Sequence, residues 1–170
     1  MAAPVSGADD TGPFGRGRLA RLRGRLFHTW FLLRRPMTLG VRALVLNETE
    51  RSVFLVRHTY VPGWQFPGGG VETGETLLEA LRHELIEEGN IEMRGAPRLA
   101  AMYQNRAASP RDHVALYVVS EFHQTAPKAG DMEIAEAAFF RLDSLPEGTT
   151  RATRERLAEQ FEGRAPSPYW

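Results

Sequence analysis

The sequence predicts an α/β domain on three observations. Apolar residues alternate with the strand period from Thr38, residues 52 to 57 are a short run rich in β-branched and aromatic side chains, and residues 76 to 89 form an amphipathic helix with its own start signal. In the first strand Leu39, Val41, Ala43 and Val45 alternate with Gly40, Arg42, Leu44 and Leu46, and Asn47 to Arg51 form a polar turn. The run from Ser52 to Arg57 is expected to be buried on both faces. Tyr60 to Gly70 holds two prolines and four glycines and cannot be regular. In the helix, Thr76 and Glu79 have the spacing of a capping box, and Leu77, Ala80, Leu81 and Leu85 supply the face that packs on a sheet. Gly89-Asn90 ends it, since these two residue types best tolerate a left-handed cap. Further strands are expected near 97–104, 113–122 and 136–141, and a last helix near 151–162 with Thr150 or Thr149 as its N-cap.

Composition narrows the function classes. The 170 residues suffice for one buried domain, and 42% apolar with 25% charged residues is ordinary for a soluble protein. A formal net charge of zero argues against nucleic-acid binding by the whole domain. The absence of cysteine excludes a disulfide framework, a thiolate nucleophile and a zinc–thiolate site. No apolar run approaches bilayer-spanning length, and the expected location is the cytoplasm.

The charge is unevenly placed. Residues 11 to 46 hold eight arginines and no acid, and Leu19, Leu22, Leu26, Trp30 and Leu33 form a stripe at helical spacing. Residues 16–36 are therefore read as an Arg-rich amphipathic helix docked on the domain, with contact to an anionic membrane or RNA, or a homodimer contact, as the alternatives. Asp9 and Asp10 fit a mitochondrial presequence badly. Residues 1–15 are expected to be disordered, 37–162 to form the domain, and 163–170 a C-terminal tail.

The chemistry lies in GGGVETGETLLEALRHELIEEGNI, residues 68 to 91. Glu84, Glu87 and Glu88 stand at i, i+3 and i+4, which puts three like charges on one helical face behind a glycine-rich loop. Such a cluster is carried cheaply when a cation sits among it, and all-oxygen ligation suits Mg2+ or Mn2+, which in turn suit a diphosphate substrate. A solvated acidic face is the alternative reading.

The stretch resembles the box of the Nudix hydrolases, enzymes that cut a nucleoside diphosphate linked to another group. Gly69, Glu75, Glu84, Leu85, Glu87, Glu88 and Ile91 fill the family's places, and WQFPGGG and GETLLEAL flank them in the family manner. Two places differ: His83 stands for arginine and Asn90 for glycine. The resemblance implies an α/β/α sandwich with a mixed central sheet and the box helix on one face. It implies metal ligation by the Gly68 carbonyl, Glu84, Glu87 and Glu88, proton abstraction from water by Glu84 or Glu87, and a supporting role for Glu75. The family arginine braces the acidic cluster; His83, with fewer donors, is expected to reach Glu87 one turn on. Glu133 and Glu136 are the candidates for the additional carboxylate that many relatives place beyond the box.

Outside the box the candidates are weaker. Arg57 could meet a substrate phosphate or remain a solvated strand-end charge, and Trp64 and Tyr103 could stack on a base, although core is the better reading of each. Asp112 and His113 sit where a loop meets a strand, and His113 reads as structural. The expected activity is metal-dependent hydrolysis of a diphosphate linkage in a small-molecule nucleotide or nucleoside diphosphate derivative. Its rivals are a nucleotide-binding regulatory module with weak or no turnover, suggested by His83, and a peripheral membrane- or RNA-associated protein using the Arg-rich helix.

Overall fold

β1 (Thr38–Asn47) and β2 (Ser52–His58), the segments with the clearest strand pattern, lie at the centre of a five-stranded sheet in the computed structural model, which describes residues 36–170. The first 35 residues, and with them the expected disordered N-terminus and nearly all of the Arg-rich helix, lie outside the described residues. After β2 come α1 (Leu77–Gly89), β3 (Ile91–Met93), β4 (Arg98–Gln104), β5 (Asp112–Val119), β6 (Phe122–Gln124), β7 (Ile134–Arg141) and α2 (Arg151–Phe161). The large sheet has the order β4-β5-β1-β2-β7, with β1 and β5 parallel and the other pairs antiparallel, so it is mixed as expected.

The alternation read from the sequence decides which face each side chain takes. Val41, Ala43, Val45, Phe54 and Val56 join Ala80, Leu81 and Leu85 of α1 in one core. Leu44, Val53 and Leu55 point the other way and meet Leu157 of α2, together with Trp64, Phe66 and Tyr103. Two apolar layers, each closed by a helix, make the α/β/α sandwich. β2 contributes to both, which is why it reads as an unbroken apolar run.

Two short strands escaped the sequence reading. The run expected as one strand over 113–122 stops at Val119, and after Ser120-Glu121 the chain restarts as β6, which pairs antiparallel with β3 in a separate two-stranded sheet. Three residues are too few to show a period. The segment 163–170, read as a C-terminal tail, is tied to β4 at its end: the Gln104 amide donates to the Pro168 carbonyl (2.9 Å) and the Trp170 amide to the Gln104 carbonyl (3.1 Å). Among the described residues no helix is long and apolar enough to cross a membrane.

β1 meets β2 only at its far end, around Leu46 and Asn47, which leaves its edge free near the start. The glycine-rich loop fills that edge. Val41 and Ala43 donate to the carbonyls of Gly69 and Pro67 (both 2.9 Å), and the Val71 amide donates to Leu39 (2.8 Å). The fit is close enough to exclude side chains: a Cβ on Gly68, whose φ is +136°, would lie 2.2 Å from the Val41 carbonyl oxygen.

Candidate functional site

α1 positions the acidic face. Its N-cap is the expected capping box, with the Glu79 amide donating to Thr76 Oγ1 (3.2 Å) and the Thr76 amide to Glu79 Oε2 (2.8 Å). Its C-cap is Asn90 in the left-handed conformation, φ 53°. Leu81 and Leu85 bury one side of the helix and so turn Glu84, Glu87 and Glu88 toward the glycine loop and the loop before β7.

The three carboxylates have different surroundings. Glu88 is buried; its Oε2 accepts the Gly68 amide at 2.7 Å, and its Oε1 lies 3.4 Å from His58 Nε2. Burial pushes its carboxyl up to about 7, against the opposing pull of the Gly68 hydrogen bond and the Arg42 charge. Glu84 is half-buried against the loop, and a Cβ on Gly69 would lie 2.0 Å from its Oε1. Desolvation raises its pKa too, with the Arg42 charge opposing. Glu87 is exposed. Glu84 and Glu87 line two clefts at once: one of about 510 Å³ shared with Gly70, Glu75 and His83, another of about 560 Å³ shared with Glu88 and Glu133.

Arg42 was not singled out as a site residue from the sequence. It is the cation whose field reaches Glu84, Glu88 and His58, while its Nη1 donates to the Phe66 carbonyl (3.1 Å). A lone charge in an otherwise apolar strand was the available signal. His58 was missed as well: it is buried, and burial followed by the Arg42 charge lowers its pKa, favouring the neutral ring beside Glu88.

The loop before β7 brings Glu133 to the second cleft. Asp131 Oδ1 accepts the amides of Glu133 (2.9 Å) and Ile134 (2.7 Å), and Thr59 donates through its hydroxyl to Met132 (2.8 Å) and through its amide to Glu133 (2.9 Å). The Ile134 amide bond, the Lys128 ammonium and the Glu133 amide hold the Asp131 carboxyl down at about 2, below its ordinary 3.8. A depressed carboxyl contributes stability that is present above pH 3.8 and lost as pH falls toward about 2. Asp131→Asn is therefore expected to show less acid destabilisation than wild type over that interval in melts run at successive pH values. Equal acid slopes would remove Asp131 as the anchor of this loop.

A divalent cation can be tested against these residues. The donors are hard oxygens on carboxylates, the loop is glycine where a Cβ would collide with Glu84, and a buried carboxylate raised to about 7 is a group that a cation would return to its charged form. Among the described residues no three acidic or imidazole side chains already converge on one point, so the carboxylates would have to rotate toward the ion. By donor type the site fits Mg2+ or Mn2+.

A family model described as the NUDIX domain matches residues 36–161, most of the chain. The chain belongs to the Nudix family. An RNA pyrophosphohydrolase of Legionella pneumophila is 37% identical over 71 residues, a match covering 39% of this chain and 40% of that protein. The chain thus matches well under half the length of that relative. Among solved structures, a MutT Nudix hydrolase from Burkholderia pseudomallei aligns with a TM-score of 0.62 and 25% identity over 73% of this chain and 97% of that one. An ADP-ribose pyrophosphatase from Streptococcus suis aligns with a TM-score of 0.53 and 20% identity over 76% and 94% of the two chains, a likeness of fold.

Within the Nudix box, the two departures have different consequences. His83 does not reach Glu87 as expected: its Nδ1 lies 2.7 Å from Glu75 Oε1. Helical side chains lean toward the N-terminus, so His83 meets the turn that precedes the helix and not the residue one turn ahead. Glu75 also accepts the Glu72 amide (3.1 Å), which makes it a brace for the loop. Asn90 does more than tolerate its backbone: its amide nitrogen lies 3.4 Å from the carbonyls of both Ala126 and Pro127, tying the helix end to the segment that leads to Glu133.

The weaker candidates outside the box have structural partners. Arg57 and Glu136 are register partners across β2 and β7 and form an ion pair with each other, so each occupies the other's charge. Trp64 is buried against Phe140, ring centroids 4.7 Å apart, and Tyr103 is fully buried; neither is placed to stack on a base. Asp112 is held by Thr38 Oγ1 (2.7 Å) and Asn105 Nδ2 (2.8 Å), a structural use.

Proposed function

We propose that this chain is a divalent-metal-dependent hydrolase that cleaves a diphosphate linkage in a nucleotide or nucleoside diphosphate derivative by attack of water at phosphorus. The observation that carries the reading is the placing of Glu84, Glu87 and Glu88 over a glycine loop, beside open clefts, in a chain of the Nudix family. Glu84, Glu87, Glu88 and the Gly68 carbonyl would hold Mg2+ or Mn2+, which when bound neutralises phosphate charge and lowers the pKa of water. Glu88 ties the helix to the loop through the Gly68 amide, so the donors from both elements keep one spacing. Glu84 or Glu87 takes the proton from the attacking water. Glu84 is the better matched by environment, since desolvation raises its pKa and makes it the more ready proton acceptor, while Glu87 has the freer access to solvent. Arg42 supplies positive field at the glycine loop, where a phosphate would gain charge. Glu133 is the additional carboxylate the cleft favours, and Glu136, paired with Arg57, is set aside.

The test is release of phosphate or nucleoside monophosphate from a panel of nucleoside triphosphates, ADP-ribose, dinucleoside polyphosphates, NADH, 5′-triphosphorylated RNA and non-nucleotide diphosphates. Turnover that requires Mg2+ or Mn2+ and stops with EDTA is expected on at least one class. Binding without turnover across the whole panel would instead establish the regulatory-module reading.

A further inference from the structure

The sheet end that carries the glycine loop also carries the last residues of the sequence. Reading across it, the glycine loop bridges to β1 at Gly40–Gly70, β1 pairs with β5, β5 with β4, and β4 bridges at Gln104 to Tyr169. Four inter-strand steps of about 4.8 Å place the segment 167–170 roughly 19 Å from the glycines, on the opposite side of one cleft. That cleft has a volume of about 600 Å³, and its lining includes Arg42, Gly69, Gly70, Val114, Asn105 and Trp170. The size is that of a small-molecule site.

The segment is built in and not merely laid on the surface. Arg156 Nη1 donates to the Tyr169 carbonyl (2.8 Å), the Ser167 amide donates to Glu159 Oε1 (2.9 Å), and the Arg106 guanidinium stacks 3.5 Å from the Tyr169 ring centre. Trp170 itself stands edge-on to the buried Tyr103, ring centroids 5.5 Å apart, and is only partly buried. An indole fixed by its neighbours, partly open, and facing a cleft that begins at the glycine loop is suited to one partner class: a flat aromatic base.

We propose that residues 167–170 form a wall of the substrate cleft, and that Trp170 packs against the base of a nucleoside diphosphate whose phosphates lie at Gly69, Gly70 and Arg42. This deepens the hydrolase reading and rests on it for the placing of the diphosphate. It selects nucleotides over non-nucleotide diphosphates, because a diphosphate seated at the glycines leaves the rest of the cleft, up to Trp170, for a nucleoside. Asn105, whose amide nitrogen is engaged by Asp112, keeps its carbonyl oxygen as an acceptor for a base amino group.

The test reads binding without turnover, on the full chain with Ca2+ in place of Mg2+ so that the phosphates keep a counter-ion, and loss of hydrolysis and loss of this contact are separate results. The probes are ADP, GDP and inorganic pyrophosphate, titrated by calorimetry. In parallel, 19F spectra are recorded of protein carrying 5-fluorotryptophan at its three tryptophan positions, with the Trp170 resonance assigned from Trp170→Phe. A nucleotide is expected to shift the Trp170 resonance, and pyrophosphate is not. Trp170→Ala is expected to weaken nucleotide binding about 10-fold while leaving pyrophosphate binding unchanged, and Trp170→Phe to keep most of the affinity. Circular dichroism melts of both variants check that the segment has not taken the domain with it. Absence of nucleotide binding, an unshifted Trp170 resonance, or equal losses for nucleotide and pyrophosphate in Trp170→Ala would overturn the proposal.

Discussion

Glu87→Gln and Glu88→Gln are each expected to lower metal-dependent turnover by at least ~10²-fold while leaving the fold intact. The two variants act differently. Glu87 is exposed and has no hydrogen-bond partner among the described residues, so the amide removes a charge and nothing structural. Glu88 is buried, but glutamine retains an oxygen for the Gly68 amide and removes a carboxylate whose burial disfavours ionisation. Melting temperatures without metal should therefore be unchanged for Glu87→Gln and equal or higher for Glu88→Gln. Added Mg2+ should raise the wild-type melting temperature more than that of either variant, since a ligand that binds the folded state stabilises it by mass action. Full activity in both variants would place the chemistry elsewhere in the molecule.

The second large effect concerns a part of the chain remote from the acidic face. Arg156→Ala is expected to destabilise the protein by about 3–5 kcal/mol, because it strands a buried carboxylate. The Arg156 and Glu159 side chains are only 1% and 4% exposed and are joined at 2.7 Å. Glu159 also accepts the Tyr103 hydroxyl (2.8 Å) and the Ser167 amide, and the Arg156 guanidinium lies 4.3 Å from the Tyr103 ring centre. With arginine gone the carboxylate keeps two neutral donors and loses its counter-charge. In a chain of this size the loss corresponds to a fall in melting temperature of roughly 10 °C. Arg156→Ala/Glu159→Gln should recover part of it, since the amide oxygen still accepts from Tyr103 and no charge is left unpaired. A loss below about 1 kcal/mol for Arg156→Ala would mean that water reaches the pair and screens it.

The layers were legible because period and burial coincide. The alternation in β1 and the unbroken run of β2 report one strand with distinct faces and another covered on both, and the capping box at Thr76 marks the helix start directly. The acidic face was legible because a helix makes i, i+3 and i+4 neighbours without tertiary help. What could not be read were contacts between residues far apart in sequence. Nothing local shows that Arg42 lies under the field of α1, that Glu136 is committed to Arg57, or that Trp170 reaches the cleft of Gly69. His83 meets Glu75 for a different reason: spacing round the helix does not report the lean of side chains along its axis, which carries the imidazole back toward the helix N-terminus.

The parallel pairing of β1 with β5 has a kinetic consequence. Thr38 lies beside Asp112, 74 positions further on, so the central strands cannot join until the box helix and three further strands have been looped out between them. Closing so long a segment is entropically costly, and domains dominated by such pairings fold more slowly than those built from local contacts. α1, with its start signal at Thr76 and its stop signal at Asn90, can form early; the surface it helps to build cannot. During synthesis the glutamates of α1 emerge before β5 is made, and until β5 emerges the strand edge that will face it stays unpaired. Slow closure of this pair should thus make the nascent domain most prone to association in the interval before residue 119 has left the ribosome.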